Sequence, residues 1–447
     1  MMATITRPET TPIATRTQAR PLEGGVVCVG VSHQTAPLAL RERLALSRDA
    51  IGAMLAQFGC GRDSRPIGVS ELVVLATCNR LELYAAGSAQ AADILLDRVA
   101  SATGVPRTEL DAVAYVYEGD DAVRHLCRTA AGLESMIVGE SQVLGQVSDA
   151  LATAMAHGAA GHALTTIFRG AVRAGRRARV ETGINHNSAT VSSAAVKLAT
   201  SVVDDLASAT VLVVGAGQTA ELAVRALQQR GAERIVICSR TREHAEQLTD
   251  AVGGAVIPFE QLADALAAAD IVVASTSAPH HLITRGMVAS ALWLRPDRPL
   301  VILDLAVPRD VDPDVASVPG VWHVDLDDLQ RNVAESRDER AGEIPRVEAV
   351  VDEETRAVAD ALRQLGAQPL IADLRHHAEA VRRTALEQSR HHFAHLSEAD
   401  RAAIAAFSES LVNRLLHEPM RRLRHDAAEG QAAGYAMALR HLFGLGG

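Results

Sequence analysis

The sequence predicts an α/β protein of three domains: an N-terminal α/β domain, a Rossmann-type doubly wound parallel sheet and an all-helical C-terminal domain. Strand and helix patterns alternate through the first third of the chain, and a second βαβ rhythm begins near residue 211. Beyond Asp325 the apolar residues recur at helical spacing. A length of 447 residues suits about three domains of roughly 150 residues each. The expected divisions, a disordered tail and three domains, are residues 1–23, 24–183, 184–326 and 327–447.

The composition is that of an ordinary globular protein. Hydrophobic residues make up 48% of the chain and charged residues 22%, which leaves ample material for cores. The formal net charge of −10 argues against a protein that coats nucleic acid through its overall field, although a local basic patch stays open. No apolar run reaches the roughly 18–20 residues that span a bilayer. The sequence therefore predicts no association with a membrane.

Cysteine usage and the first residues bear on the compartment. The five cysteines are odd in number and form no CxxC pair; they are Cys28, Cys60, Cys78, Cys127 and Cys238. This pattern predicts reduced thiols in a cytoplasmic protein, without a disulfide framework or a metal site. The tail, residues 1–23, is rich in Thr, Arg, Ala and Pro and has no apolar segment. We expect the tail to be disordered, with a transit peptide as the alternative.

In the N-terminal domain, apolar runs bounded by turn residues define the expected elements. Strands are expected at 26–31 and 71–76, and helices at 38–46 and 48–58. From Asp121 to the end of the domain the pattern becomes helical, broken by turns that contain glycine.

The strand at 71–76 runs almost directly into a thiol, Cys78, which is followed by Asn79 and Arg80. One interpretation is a nucleophile at the edge of a cleft, because a nearby guanidinium lowers a thiol pKa and raises the thiolate fraction. The alternative is a buried, inert cysteine, since free cysteines are among the most buried residues. The local sequence leaves both interpretations open.

A glycine-rich turn follows the strand expected at 211–214. It reads Gly215, Ala216, Gly217, Gln218, Thr219, Ala220. A GxGxxA sequence between a strand and an amphipathic helix is a dinucleotide-binding fingerprint. Gly215 permits the tight turn, Gly217 lets the backbone approach a pyrophosphate, and Ala220 lets the helix pack closely on the strand. The phosphates then face the free N–H groups at the start of the helix expected at 218–229.

The end of the next strand, expected at 234–238, selects the dinucleotide. An acidic residue there would bind the ribose 2′-hydroxyl of NAD, but this chain has Ser239, Arg240 and Arg242 instead. A hydroxyl and guanidiniums suit a 2′-phosphate, so Ser239 and Arg240 favour NADPH; solvated arginines in a loop are the alternative. The remaining elements expected in this domain are a helix at 242–251 and strands at 270–275 and 300–304.

The C-terminal domain has a thin apolar stripe. Its members are Val347, Val350, Val351, Val358 and Leu362. A helix whose stripe is too narrow for a core of its own often dimerises, so we expect a dimerisation domain. Pro345 either opens a helix or kinks a longer one.

Three further motifs carry a resemblance to a known family. They are 30–37 (GVSHQTAP), 77–84 (TCNRLELY) and 132–146 (GLESMIVGESQVLGQ). With the glycine turn and the run 304–310, in this order and spacing, they resemble the glutamyl-tRNA reductase family from about residue 26 onward. The resemblance implies an enzyme that reduces glutamyl-tRNA to glutamate 1-semialdehyde with NADPH and releases free tRNA. This reaction is the first committed step of tetrapyrrole (porphyrin) synthesis by the glutamate route.

The resemblance also implies roles for individual residues. Cys78 would attack the ester carbonyl and hold the glutamyl group as a thioester, while His125 would act as a general acid–base or orient the ester. Arg80 would hold the glutamate side-chain carboxylate. The implied substrate-binding residues are Thr77, Asn79, Arg80, Ser135, Glu140, Ser141, Gln142 and Gln146.

Some of these residues have a simpler interpretation. From the residues alone, His125 could be a hydrogen-bonded histidine on a helix, and Ser135 and Gln146 could serve as helix caps. Two positions depart from the family pattern: Ser141 stands where Pro is frequent, and Glu134 stands where Asp is usual.

The implied partners are glutamyl-tRNA(Glu), a second copy of the chain bound through the C-terminal helices and, by family analogy, the aminotransferase that consumes the aldehyde. One predicted helix carries arginines on a shared face, which would contact tRNA phosphates or would simply be solvated. These arginines are Arg169, Arg173, Arg176 and Arg177, extended by Arg179. Two rival functions are an NADP-dependent dehydrogenase of a small free metabolite and a non-catalytic relative that binds tRNA or a pathway partner. The first leaves the TCNR segment unexplained, and Cys78, His125 and the glycine turn speak against the second.

Overall fold

The computed structural model describes most of the chain from the first strand onward. The described residues are 25–58, 68–184, 191–203, 205–296, 298–333, 342–428 and 432–444. The expected tail 1–23 and Cys60 lie outside them. The other four cysteines are free thiols. Within the described part, no helix is both long and apolar enough to cross a membrane.

The first sheet has four strands in the order β2-β3-β1-β4. They are β1 (Gly25–Ser32), β2 (Val69–Ala76), β3 (Arg80–Gly87) and β4 (Tyr115–Glu118). β1 pairs antiparallel with both β3 and β4, and β2 pairs antiparallel with β3. The sequence analysis recognised β1 and β2 but not β3, which begins at Arg80 within the motif around the thiol. β2 and β3 therefore form a hairpin.

In the described part of this domain, the strands are accompanied by seven helices. They are α1 (Leu38–Arg43), α2 (Arg48–Ala56), α3 (Ala91–Thr103), α4 (Arg107–Asp111), α5 (Asp120–Ala131), α6 (Gln142–Ala156) and α7 (His162–Glu181). The helix expected at 38–46 ends three residues early, at Arg43. One apolar cluster joins the sheet to α2, α3, α5, α6 and α7. The loop between α5 and α6, residues 132–141, lies at the rim of this cluster.

The second sheet is parallel, with six strands in the order β10-β9-β8-β5-β6-β7. Its elements are α8 (Val191–Ala199), β5 (Thr210–Val214), α9 (Gln218–Gln228), β6 (Arg234–Cys238), α10 (Arg242–Val252), β7 (Ala255–Ile257), α11 (Leu262–Ala268), β8 (Ile271–Ala274), α12 (Arg285–Trp293), β9 (Leu300–Asp304), β10 (Val321–Val324) and α13 (Leu326–Val333). The chain proceeds outward from β5 through β6 to β7, then crosses to β8 on the other side. This reversal makes the sheet doubly wound and confirms the predicted fold class.

The remaining chain is helical. Its elements are α14 (Ile344–Gln388), α15 (Glu398–Ala428) and α16 (Ala432–Phe443). Pro345 lies in the first turn of α14, where a missing N–H costs no hydrogen bond. Pro345 therefore opens a helix, which was one of the two alternatives that the sequence left open.

The first part of α14 packs against the N-terminal domain. Val347, Val351, Val358 and Leu362 are buried in the first apolar cluster, against α5 and α7. The chain therefore covers these residues of the stripe itself, and they offer no surface to a second copy.

Exposed apolar side chains lie instead on α15. Phe407, Leu411 and Leu415 follow one another at four-residue spacing and are 69%, 48% and 67% exposed. Residues four apart share a face of a helix, so α15 presents an apolar surface to the solvent.

The same packing changes the predicted basic face of α7. Arg173 and Arg177 each pair with Glu354 of α14 at 3.2 Å, and Arg177 also pairs with Glu353 at 2.9 Å. Arg179 donates to the backbone oxygens of Ala130, Gly175 and Glu140 and is half-buried. Three of the five arginines therefore already have partners within the chain, and the contact of this face with phosphates stays a prediction. The exposed Arg169 and Arg176 have no ion pair within the described residues.

Gly170 allows α7 and α14 to approach closely, which makes the contact testable. A Cβ at Gly170 would lie 2.1 Å from Cγ2 of Val358. We expect Gly170→Ala to lower the free energy of unfolding by about 1–2 kcal/mol, because overpacking outweighs the gain in helix propensity. Denaturant unfolding measures the change. The matched control is Gly145→Ala in α6, where nothing lies within 4 Å of the added atom. This control should be neutral or stabilising.

The double variant Gly170→Ala/Val358→Ala identifies the cause of the loss. If the clash with Val358 is responsible, the combined cost is smaller than the sum of the two single costs. Additive costs would contradict the proposed contact.

Candidate functional site between the two sheets

Cys78 lies at the tip of the β2–β3 hairpin. The loop is closed by the Thr77 N–H, which donates to the Arg80 carbonyl at 2.9 Å. The Thr77 hydroxyl accepts from the N–H groups of Asn79 at 3.1 Å and Arg80 at 3.2 Å. Thr77, expected to bind substrate, therefore also shapes the turn that presents the thiol.

The thiol packs against the second apolar cluster of the chain. Cys78 is half-buried and packs against the apolar cluster that contains the inner residues of β5, β6, β8 and β9. Leu38 of α1 and Met136 and Ile137 of the 132–141 loop belong to the same cluster. The candidate nucleophile thus lies where the N-terminal domain meets the dinucleotide-type fold.

The surroundings of Cys78 hold the thiol in its protonated form. Burial raises the pKa of the Cys78 thiol to about 11, and the nearby Glu140 carboxylate adds to this increase. Arg41 and Arg80 act in the opposite direction and lower the pKa. The local sequence left open a thiol activated by the guanidinium and a buried, inert cysteine. In this structure, removal of the thiol from water outweighs the attraction of the two cations.

Arg80 is buried and held in place by the protein. Its NH1 nitrogen donates to Glu82 Oε1 at 2.7 Å and to the Thr129 hydroxyl at 3.2 Å, and NH2 donates to the Glu134 carbonyl. Because a guanidinium carries five N–H groups, these bonds still leave donors for a ligand. Arg80 is therefore a rigid cation beside the thiol.

Glu82 is the residue that the sequence analysis missed. Its carboxylate accepts hydrogen bonds from Arg80, from Tyr84 and Tyr115 at 2.6 Å each, and contacts His125 Nε2 at 2.9 Å. Attraction from Arg80 and His125 holds the pKa of Glu82 well below its usual range despite complete burial. Glu82 lies two residues after Arg80 in the TCNRLELY motif, so the two side chains share one face of β3. This spacing is the sequence signal that could have pointed to the role of Glu82.

His125 belongs to this network. Its ring stacks on Tyr117, with centroids 4.6 Å apart, and its Nε2 faces the ionised Glu82. Because an ionised carboxylate only accepts hydrogen bonds, the proton of this contact lies on Nε2, and Nδ1 is the ring nitrogen that Glu82 leaves free. Within the described residues, no hydrogen bond joins His125 to the Cys78 thiol.

Cys28, Glu82 and His125 place ligand-type atoms within 4.8 Å of one another. Metal binding does not fit this group, because the Glu82 carboxylate oxygens already serve four side chains. Burial also raises the pKa of Cys28 well above its usual value, which opposes formation of a thiolate ligand. The group is better described as an internal network.

The other predicted pocket residues lie on the 132–141 loop and the start of α6. Ser135 and Glu140 are buried, Ser141 is exposed, and Gln142 and Gln146 are half-buried. Neither Ser135 nor Gln146 caps a helix, since Ser141 occupies the N-cap of α6 and its side chain makes no capping bond.

Glu140 follows a glycine whose backbone passes close to Ile184. Gly139 has a φ of +83°, and a Cβ there would lie 2.3 Å from the Ile184 carbonyl oxygen. The Glu140 carboxylate interacts with the backbone N–H of Val191, at the start of α8, and burial raises its pKa to about 7. Glu140 therefore gains or loses its charge near neutral pH.

The glycine turn has the geometry that a dinucleotide needs. Gly215 has a φ of +104°, and a Cβ there would lie 2.6 Å from the Ser275 carbonyl oxygen. At Gly217, the N-cap of α9, an added Cβ would have no atom within 4 Å, so the space beside the helix N-terminus is open. Ala220 is fully buried. These residues fit a pyrophosphate on the N–H groups of α9.

The end of β6 lies beside this turn. The Ser239 hydroxyl accepts from the Thr241 N–H at 3.3 Å, and Arg240 is exposed without an ion pair in the described structure. Arg242, in contrast, pairs with Glu246 at 2.7 Å. Arg240 is thus the guanidinium available to a 2′-phosphate.

Two ion pairs tie α1 to the parallel-sheet side. Arg41 NH2 lies 2.9 Å from Asp327 Oδ1. Glu42 accepts from the Arg309 N–H at 2.7 Å and from its Nε and NH2 at 2.8 Å each. These two ion pairs therefore fix the N-terminal domain against the parallel-sheet unit, close to the loop that carries Cys78.

Comparison with known proteins gives matches to three family models along the chain. Residues 29–182 match the N-terminal domain of glutamyl-tRNA(Glu) reductase, and residues 346–445 match its dimerisation domain. Residues 197–332 match the shikimate/quinate 5-dehydrogenase model.

Similar proteins share almost the full length of the chain. A glutamyl-tRNA reductase from Chloroflexus aggregans is 39% identical over 426 residues, which cover 93% of this chain and 94% of that protein. One from Stenotrophomonas maltophilia is 40% identical over 405 residues, 90% and 92% of the two chains. The solved glutamyl-tRNA reductase of Methanopyrus kandleri is 33% identical, with a TM-score of 0.49 and coverage of 95% and 100%. With this identity to curated relatives over nearly both whole chains, the protein belongs to the glutamyl-tRNA reductase family.

Proposed function

We propose that this protein reduces glutamyl-tRNA(Glu) to glutamate 1-semialdehyde with NADPH and releases free tRNA, by way of a thioester on Cys78. The observation that carries the proposal is the position of the thiol. Cys78 is at the tip of a rigid hairpin, beside the buried Arg80 and against the parallel sheet that carries the glycine turn. An acyl group held there lies between the substrate loop and the nucleotide fold.

The first half of the reaction uses the thiol. The Cys78 sulfur attacks the ester carbonyl, the carbon–sulfur bond forms, and the carbon–oxygen bond to the tRNA ribose breaks. The thiol proton leaves with the ribose oxygen, so the tRNA departs with a free hydroxyl. His125 Nδ1 is the ring nitrogen that Glu82 leaves free, which suits His125 to proton transfer or to holding the ester.

Arg80 suits the glutamate side chain because its guanidinium is fixed before the substrate arrives. A preorganised fork loses little freedom when it binds a carboxylate. We assign Asn79, Ser135, Glu140, Ser141, Gln142 and Gln146 to the same pocket, which the 132–141 loop and the first turns of α6 form around Cys78.

NADPH would be held by Gly215, Ala216, Gly217, Gln218, Thr219 and Ala220 at the pyrophosphate and by Ser239 and Arg240 at the 2′-phosphate. When bound it supplies the hydride that converts the acyl group to the aldehyde oxidation level. The carbon–sulfur bond formed in the first half then breaks to release the aldehyde, and a proton from the solvent restores the Cys78 thiol.

We further propose that the protein acts as a homodimer and hands its labile aldehyde to an aminotransferase. The match to a dimerisation-domain model supports the dimer, and the apolar face of α15 offers surface for it. The transfer follows from the reactivity of the product and from the family analogy.

Cys78→Ser tests the mechanism. Because serine is a far weaker nucleophile at neutral pH, we expect semialdehyde formation to fall by a factor on the order of 1,000 or more. Wild-type protein without NADPH should retain labelled glutamate, as should the control Cys127→Ala, whereas Cys78→Ser should not. Undiminished activity in the serine variant would remove Cys78 from the mechanism. Activity on free glutamate would favour a small-metabolite dehydrogenase.

Arg240→Gln tests the choice of dinucleotide. Loss of a charge-assisted bond to the 2′-phosphate should lower kcat/KM for NADPH about 10–100-fold, with little change for NADH. The matched control is Arg242→Gln, since Arg242 already pairs with Glu246. Equal losses with both dinucleotides, or the same loss in the control, would contradict the assignment.

Glu140→Gln tests the charge balance at the thiol. An ionised Glu140 disfavours the neighbouring thiolate, so its removal should lower the pKa of Cys78 and move alkylation by iodoacetamide to lower pH. The rate of modification of the Cys78 peptide, followed by mass spectrometry across a pH series, measures this. A shift to higher pH would show that Glu140 does not act on Cys78 through its charge.

A further inference from the structure

Arg41 contacts the three-residue loop 77–79 between β2 and β3, the Cys78 loop. It belongs to α1, is 5% exposed, and donates from NH1 to the Cys78 carbonyl at 3.0 Å and to Asn79 Oδ1 at 3.4 Å. Its Nε donates to the Ala36 carbonyl at 3.3 Å, which fixes the guanidinium to the turn that precedes its own helix. Two residues of the three-residue loop are therefore bound to one side chain.

The same guanidinium reaches the other fold. Arg41 NH2 donates to Asp327 Oδ1 at 2.9 Å, and Asp327 Oδ2 accepts from the Leu38 N–H at 3.3 Å. Asp327 is the second residue of α13, directly after the edge strand β10. Arg41 thus connects the loop that carries the thiol to the end of the parallel-sheet unit, 286 residues further along the chain.

A guanidinium is suited to such a connection. It is planar and always charged, and its donors point in fixed directions, so it holds two acceptors in a defined relative orientation. A lysine at this position would keep the charge but would lose the fork. The hydride donor would lie on the parallel-sheet unit and the acyl group on the N-terminal domain. A small shift of one relative to the other would therefore lower the rate of hydride transfer. Misplacement by about 1 Å can lower a rate on the order of 100-fold.

We propose that Arg41 is a positioning residue that fixes the Cys78 loop against the dinucleotide-binding fold through Asp327. The inference rests on the proposed function for its consequence in the reaction, but the contact itself can be tested without it. Arg41 touches neither the glutamyl group nor the dinucleotide in this assignment. It acts through the loop, by setting where the sulfur lies.

Arg41 also contributes to the charge balance at the thiol. Three charged groups act on Cys78: Glu140 raises the pKa of the thiol, and Arg41 and Arg80 lower it. Removal of the Arg41 charge should therefore raise the pKa of Cys78. This sign is opposite to the one expected for removal of Glu140, and it gives a readout that a purely structural role would not change.

The test compares three variants with a matched control. Arg41→Lys keeps the charge and removes the fork, Asp327→Asn removes the far partner, and Arg41→Gln removes charge and fork together. The control is Arg43→Gln on the same helix, because Arg43 is half-exposed and pairs with Glu109 at 2.7 Å, away from the loop. Thermal unfolding first establishes which variants are folded.

We expect all three variants to lower kcat for semialdehyde formation about 10–100-fold with little change in KM for glutamyl-tRNA. In the absence of any substrate, the pH profile of Cys78 alkylation by iodoacetamide should move to higher pH in Arg41→Gln. It should stay near the wild-type profile in Arg41→Lys and should not rise in Asp327→Asn. Arg43→Gln should match the wild type in both measurements.

Two results would overturn the inference. One is wild-type kcat in folded Arg41→Lys and Asp327→Asn, and the other is an equal loss of kcat in Arg43→Gln. An unchanged alkylation profile in Arg41→Gln would separately refute the action of Arg41 on the thiol. If the proposed function itself were wrong, the wild type would form no semialdehyde from glutamyl-tRNA, while the alkylation profile of Arg41→Gln would still shift, so the two failures are distinguishable.

Discussion

The N-terminal half of the site depends on one buried carboxylate, Glu82. It receives the Arg80 guanidinium, the Tyr84 and Tyr115 hydroxyls and the His125 ring, and so ties β3, β4 and α5 together. Removing one member of a buried ion pair of this kind typically costs about 3–5 kcal/mol, because a charge is left without a partner. Arg80 and His125, the two groups proposed to act beside Cys78, are both oriented by this carboxylate. Their geometry therefore exists before any substrate binds.

Burial of the thiol has two consequences that oppose each other. Contact with the parallel-sheet cluster brings Cys78 to the nucleotide fold, but removal from water raises the pKa of the thiol to about 11. In such a low-dielectric setting each nearby charge acts strongly. Reactivity is then set by the balance between Glu140 on one side and Arg41 and Arg80 on the other. A pKa of about 7 for Glu140 means that this balance changes near neutral pH.

The long helix α14 has a double role. Its first turns complete the core of the N-terminal domain, and Glu353 and Glu354 neutralise arginines of α7. Its later part leaves that core and packs on α15 instead. A helix anchored in the domain that holds the thiol thus packs against α15, whose exposed apolar face is the surface proposed for the second subunit.

Local rules were enough to predict the doubly wound sheet and the glycine turn, and they gave a helix start at Pro345 as one of two alternatives. A positive φ at Gly215, an open Gly217 and a proline in a first turn are properties of single positions, which a sequence pattern records directly. Charge partners and solvent exposure are not recorded in this way. Glu82, Arg41 and the acidic partners of α7 gain their roles from groups distant in the chain, and Cys78 owes its pKa to burial. Residue order alone was enough to predict which chemical groups are present and which folds carry them. Which charged groups come into contact could be seen only in the folded chain, because those contacts depend on how the folds pack against one another.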